Sequence, residues 1–319
     1  MKKTLALVLI LTLITLFSVS CAPAPDETVI NIGYMSGPTG MGMAKLIADN
    51  GGVEGNEDYT FTSFDNTTLA VQKLMNKDVD IICIPTNEAA NLYKDNKDLS
   101  VLAINTLGTL FLVTNENHTI TSLEDLNGKT IYTCKNGTPR VILENLIEAY
   151  GIDATVSYTI GETEMAAPKD LAAQVMAGKI DIAVAPEPIV TNIISKKANF
   201  SVDLDLADYW MDKYDSPLTM GCIVTRKDFI AEHKTILDEF LNEYEASIAY
   251  ISNSNNVSTS AQYVTDAGIL DDANKASLSL QNLGDAISYI SGNEMKSALA
   301  SFYSVIGIAL PDDAFYYAG

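Results

Sequence analysis

A chain of 319 residues is long enough for two domains with cores of their own. Its formal net charge of −21 excludes nucleic-acid binding by phosphate neutralisation, and it reads as solubility rather than as a substrate preference. Beyond Cys21 the cysteines are Cys83, Cys134 and Cys222, each in an apolar strand-like run; three cannot all pair, so they read as buried thiols without a disulfide framework.

The chain opens with Lys2-Lys3 and an apolar run from Leu5 to Phe17, broken only by threonines, and then reaches Ser18-Val19-Ser20-Cys21. That run is too short for the ~20 residues of a membrane span, and residues 1–20 read as a secretory signal. A small residue directly before Cys21 resembles a bacterial lipobox, which makes Cys21 a lipid anchor and residues 21–27, "CAPAPDE", a tether that holds a domain off a surface. The plainer alternative is a cleaved signal with Cys21 incidental. Either way the remainder is expected to be extracytoplasmic, because no second stretch approaches the length of a span.

"TVINIGYM" is a continuous apolar strand, and the Gly-rich "SGPTGMG" loop after it opens a helix that stops at Gly51-Gly52. The loop closes neither G-x-x-x-x-G-K-[ST] nor G-x-G-x-x-G, so what remains is a strand–loop–helix that aims backbone N–H groups at whatever lies in front. "YTFTSF" is the next strand, followed by a helix with Asp65 or Asn66 as N-cap. "VDIICIP" and "VLAINTL" are two more apolar strands. Apolar strands separated by helices predict parallel strands buried on both faces, hence an α/β class.

The unit occurs twice. Residues 30–51 and 130–151 share strand, Gly loop, helix and Gly stop; "LAVQKLMNKDVDIICIPTNEAANLY" from Leu69 aligns with "LAAQVMAGKIDIAVAPEPIVTNII" from Leu171 with one gap. Two matches in the same order predict two lobes built on one plan. "TLGTLFLVTNE" and "SPLTMGCIVTRKDF" read as the crossings between them, near residues 108–114 and 215–222. Lobe 1 is then 28–109 plus 221–319, ending in a long helix from Arg226 to Ser252 and several shorter ones. Lobe 2 is 110–220. Two crossings make a hinge, with a cleft at the carboxyl ends of the strands.

The loops expected to line that cleft are "MSGPTG" and "IPTNEA" from lobe 1, and "CKNGTPR" and "APEPIV" from lobe 2. From the first come Met35, Ser36, Gly37, Thr39 and Gly40. Met35 can form an adaptable apolar wall or simply pack in the core. Thr86 and Asn87 can supply hydrogen bonds or cap the next helix, and Asn66 carries the same ambiguity. Asn136, Gly137 and Thr138 open a helix whose N-terminus favours an anion or a carbonyl oxygen, with Arg140 as a bidentate donor in the first turn; a solvated surface arginine is the alternative. Glu187, between two prolines at a strand end, suits an amine or hydroxyl, or is an exposed loop acid.

No catalytic constellation accompanies these residues. His118 and His233 fall in different lobes, and His233 is expected on a solvated helix face. No H-x-x-H, C-x-x-C or G-x-S-x-G spacing occurs, and Glu162 and Glu164 lie in what reads as a flexible loop. No metal, cofactor or catalytic residue is expected, and an enzyme is disfavoured.

"SLEDLNGKTIYTCKNGTPRVILENLIEAYGID", "AAQVMAGKIDIAVAPEPIV", "VTRKDFIAEHKTILDEFLNEY" and "IGIALPDDAFYY" resemble the solute-binding proteins of the nitrate/sulfonate/taurine class of ABC importers, a group similar to the pyrimidine-precursor family of thiamine metabolism. The resemblance implies a monomeric two-lobed type II periplasmic-binding-protein fold that closes on a small organic solute (sulfonate-, taurine- or pyrimidine-like). Its partners are a membrane permease and a separate ATPase subunit. The C-C-C-F-C motif of the eukaryotic pyrimidine synthases is absent, which argues against an iron-dependent synthase. Two other readings stay open: an enzyme of the menaquinone-pathway type with the same fold, and a ligand sensor for a membrane receptor.

Overall fold

The computed structural model describes residues 28–319; the expected signal, tether and Cys21 anchor lie outside the described residues. Among the described residues, no helix is long and apolar enough to cross a membrane.

Lobe 1 starts with β1 (Ile30–Met35), β2 (Tyr59–Phe64), β3 (Ile81–Pro85) and β4 (Leu99–Thr106). All eight residues of β4 are buried, as an interior strand covered on both faces requires. Lobe 2 carries β5 (Leu110–Asn115), β6 (Thr130–Tyr132), β7 (Thr155–Ser157), a small hairpin of β8 (Thr159–Ile160) and β9 (Thr163–Glu164), then β10 (Ile182–Pro186) and β11 (Phe200–Asp205). The chain then returns as β12 (Gly221–Arg226) and later adds β13 (Ile287–Ser291).

The six-stranded sheet has the order β13-β4-β12-β3-β1-β2, and the five-stranded sheet the order β11-β5-β10-β6-β7. Taken from the opposite edge, the first five strands of each follow one pattern: β2-β1-β3-β12-β4 in lobe 1 and β7-β6-β10-β5-β11 in lobe 2. The fourth strand of each is antiparallel to its neighbours, and the others run parallel. The twofold repeat in the sequence is therefore a twofold repeat of topology.

Parallel-rich sheets are expected and found, but one interior strand of each, β12 and β5, runs the other way. β12 and β5 are each the first strand after a crossing. The chain enters from the side on which the parallel strands end, so its first strand has to run back against them. A second difference is β13, which lies where only helices were expected and pairs antiparallel with β4. The segment bearing Glu162 and Glu164 is no loose loop either: it forms the β8–β9 hairpin, and Glu164 is 2.7 Å from Lys135 Nζ. His233, expected on a solvated face, is packed against Phe229 with ring centroids 5.0 Å apart and a side chain only 23% exposed.

Lobe 1 is covered on one face by helices Ala44–Asp49, Lys227–Ile251, Val257–Asp266 and Ala273–Leu283, which bury Ile32, Phe240, Ile248 and Leu280 together. A second core in lobe 2 gathers Val113, Leu171 and Ile193. The largest core belongs to both lobes. It joins Ile82, Val101 and Phe302 to Leu112, Leu143 and Val184 by way of Leu110, Trp210 and Leu218. Cys83, Cys134 and Cys222 are free and buried. At the base of lobe 1, buried Arg226 places Nη2 3.0 Å from Asp80 Oδ1 and donates from Nη1 to the carbonyls of Leu74 and Val79 at 2.9 and 2.7 Å. Those bonds compensate the desolvation that makes a buried ion pair costly when either partner is lost.

Candidate functional site

The helices that follow β1, β3, β6 and β10 are Pro38–Met41, Thr86–Asp95, Thr138–Tyr150 and Ile189–Lys196, and none of them is capped by the side chain of its N-cap residue. The first and third begin alike. Gly37 has φ +86° and ψ −162°, and Gly137 has φ +90° and ψ −177°, each with a proline at the start of the helix. Only glycine takes that conformation without strain, which is why the Gly loop occurs in both halves of the sequence. Some other helices do have a side-chain cap: Asn66 Oδ1 accepts from Leu69 N at 2.9 Å and Asp205 Oδ1 from Ala207 N at 2.8 Å, whereas Ala44–Asp49, Lys227–Ile251 and Gly292–Val305 do not. Lys45, just past the Gly-rich loop, is turned to Asp49 at 2.6 Å.

The expected residues fall into two sets. In lobe 1, half-buried Met35 packs against the shared core, exposed Ser36 hydrogen-bonds Asp65 at 3.5 Å, and Asn66 caps its helix, the second of its two readings. Gly40 lies so close to β1 that a Cβ there would sit 1.9 Å from the Met35 carbonyl oxygen. Thr39 and Thr86 both lie beside the return crossing, Thr39 next to Gly221. The Thr39 carbonyl accepts from Asn105 Nδ2 at 3.0 Å. Buried Thr86 donates its hydroxyl to the Thr219 carbonyl at 2.9 Å and its N–H to the Met220 carbonyl at 3.1 Å. In lobe 2, Asn136 and Gly137 are exposed and Thr138 begins the helix. The Arg140 guanidinium lies 5.7 Å from the Tyr158 ring centroid, with Nε 3.9 Å from Glu144.

The two sets touch at Gly37, where a Cβ would lie 3.5 Å from Pro188 Cδ. Beside that contact stands Glu187, and its reading as an exposed loop acid does not hold: it is 3% exposed. Its carboxylate accepts from Thr191 Oγ1 at 3.0 Å and Thr191 N at 3.3 Å within lobe 2, and from Ser279 Oγ at 3.2 Å and Asn282 Nδ2 at 2.7 Å across in lobe 1. Burial raises its pKa and these bonds hold the rise in check. The N-terminus of helix Ile189–Lys196 is thus already served by the protein's own carboxylate.

Three buried polar atoms near these helix ends have no hydrogen-bond partner: Asn87 Oδ1, Thr219 Oγ1 and Arg140 Nε. An unmade bond at such a group costs about 1–3 kcal/mol, so a polar ligand or water has something to gain there. Asn105, Thr219, Tyr158, Ser279 and Asn282 were not foreseen. Asn105 alone carried a signal, as a polar residue inside an apolar strand; Ser279 and Asn282 look like ordinary helix-surface residues until the fold brings them to Glu187. Among the described residues no group of three or more His, Cys, Asp or Glu side chains could hold a metal ion.

The NMT1/THI5-like family model matches residues 99–256. Solved structures align over almost the whole chain. An ABC transporter protein from Parabacteroides distasonis aligns with a TM-score of 0.74 at 20% identity, covering 91% of this chain and 99% of its own. The periplasmic aliphatic sulphonate binding protein SsuA from Escherichia coli aligns at 0.67 and 15%, covering 92% of each chain. The periplasmic nitrate-binding protein NrtA from Synechocystis PCC 6803 aligns at 0.58 and 13%, covering 88% of this chain and 81% of its own. No curated protein matches the chain in sequence. The fold is that of the type II periplasmic binding proteins. Family model and fold agree with the sequence motifs: the chain resembles the nitrate/sulfonate/taurine class of solute-binding proteins.

Proposed function

We propose that the protein is the extracytoplasmic solute-binding component of an ABC importer, anchored through Cys21. In this reading, residues 28–109 with 221–319, and residues 110–220, are lobes that close on a small organic solute and hand it to a permease driven by a separate ATPase subunit. One observation carries the reading: two helices that begin with the same left-handed glycine, Gly37 and Gly137, stand in lobes that meet at Pro188. Uncapped helix ends offer backbone N–H donors and positive potential to an oxyanion or carbonyl. Helix Thr138–Tyr150 adds Arg140, while the end of Ile189–Lys196 is filled by Glu187, so the acidic or carbonyl group of the solute belongs at the Gly137 end. Asn87 of lobe 1 and Thr219 in the return crossing face its other polar groups. Glu187 is committed to four protein donors, which takes it out of general-base chemistry and weighs against an enzyme.

A thermal-shift screen with sulfonates, taurine, nitrate, pyrimidines, flavins and amino acids tests this. A ligand of the folded state at a thousandfold excess over its Kd stabilises by about 4 kcal/mol. Arg140→Ala is expected to weaken a hit roughly 10- to 100-fold, the worth of a charge-assisted hydrogen bond. A hit whose affinity ignores Arg140→Ala would move the acidic group away from the Gly137 end.

A further inference from the structure

A cavity of about 420 Å³ opens on the far side of the two crossings from the Gly37 and Gly137 helix starts. In each sheet an edge strand lies beyond the crossing strands, β13 in lobe 1 and β11 in lobe 2, away from β1 and β6, which lead into those starts. The cavity is walled by what leaves β11 and what enters β13. Helix Leu206–Tyr214 contributes Asp208 and Met211, three residues apart and so on one face. The turn Gly284–Ala286 brings Asp285 from lobe 1, and Leu107 and Leu218 come from the two crossings. These walls are tied together: a Cβ on Gly108 would lie 2.2 Å from Ala207 Cβ, and Leu107 N donates to the Ala286 carbonyl at 2.7 Å. The volume falls in the range of small-molecule sites, ~300–1,000 Å³.

Its lining is of two kinds. Leu107, Met211 and Leu283 are apolar, and Met211 is 46% exposed, a large apolar side chain left uncovered. Asp205, Asp208 and Asp285 are acidic, and no lysine or arginine among the described residues lines the cavity. Burial, with the neighbouring charge of Asp208, pushes Asp205 up to about 6, so its carboxylate ionises at neutral pH at a cost that a cation beside it would offset. An apolar body in the same place would cover Met211. We propose that this cavity binds a small organic cation, its ammonium group held by Asp205, Asp208 and Asp285 and its compact apolar body seated against Leu107, Met211 and Leu283. The same carboxylates repel an anion, so the cavity selects the opposite charge to the Gly137 end. This inference stands apart from the import reading, because the lining is the same whatever solute the cleft takes.

Isothermal titration at pH 8, where Asp205 is ionised, tests it with cyclohexylmethylammonium, and with cyclohexylmethanol and cyclohexanecarboxylate as its neutral and anionic counterparts. The ammonium should bind saturably, the alcohol roughly 10-fold more weakly and the carboxylate not at all. Asp205→Asn with Asp208→Asn keeps a side chain that caps the helix and should weaken the ammonium roughly 10-fold. Asp285→Asn, across in lobe 1, should weaken it roughly 3-fold and serves if the double variant does not fold. Glu54→Gln removes a charge beside β2, at the opposite edge of the same sheet, and should change nothing. The proposal is overturned by an ammonium that does not saturate, by equal binding of ammonium and alcohol, by an affinity that ignores the Asp variants, or by one that responds as much to Glu54→Gln. Failure of every solute in the thermal-shift screen, with the ammonium behaving as expected, would count against the import reading alone.

Discussion

Asp205 ends β11 and caps the helix Leu206–Tyr214 through Ala207 N, and it does so with a carboxyl that burial has pushed up to about 6, with the neighbouring charge of Asp208 adding to the rise. A carboxyl raised on folding binds its proton more tightly in the native state than in the unfolded one. Its contribution is therefore fully present below its ordinary value near 3.8 and is lost as pH climbs to about 6. Asn caps as well as Asp and carries no charge, so Asp205→Asn should stabilise the protein by about 1–2 kcal/mol at pH 8 and by nothing at pH 4. Thermal melts at the two values check this; a variant less stable than wild type at pH 8 would mean the carboxylate has a partner that outweighs its desolvation. Burial raises Glu187 in the same direction, whereas its Asn282, Thr191 and Ser279 donors act the other way. The raised value of Asp205 was beyond sequence reading, because it depends on which segments cover the end of β11.

At the scale of the element, the two Gly-led helix starts were readable as repeated strings, and the structure shows why both halves keep them. The glycines do not share one reason. Gly137 lies at φ +90° with nothing closer to an added Cβ than Pro139 Cδ at 3.6 Å, so Gly137→Ala meets backbone strain alone, about 1–2 kcal/mol. Gly40 has room in its dihedrals and none in space, because its Cβ would strike the Met35 carbonyl at 1.9 Å. Gly40→Ala should therefore cost about 3 kcal/mol, more than Gly137→Ala, as measured by denaturant unfolding of each variant. The reverse order would show that the loop after β1 yields easily. The cap at Asn66 was legible as one of two readings, since Ser, Thr, Asp and Asn are the preferred residues before a helix.

For the whole molecule, the decisive feature is a core that does not respect the lobe boundary. Trp210 from lobe 2 is fully buried with its ring centroid 5.7 Å from that of Phe302 in lobe 1. The lobes should thus unfold together. Trp210 is the only tryptophan in the chain, so its fluorescence melt should coincide with the circular-dichroism melt of the entire protein. An earlier fluorescence transition would mean that the lobes part before either unfolds. By itself the sequence determined the α/β class, the repeat, the two crossings and the loops at the strand ends, because hydrophobic period, Gly stops and turn chemistry are local. Only the tertiary structure decided that the crossing strands run antiparallel, that β13 joins the sheet and that Glu187 is buried against Ser279 and Asn282. Those outcomes depend on which side a chain enters a lobe and on contacts between residues some ninety positions apart, and no local pattern records either.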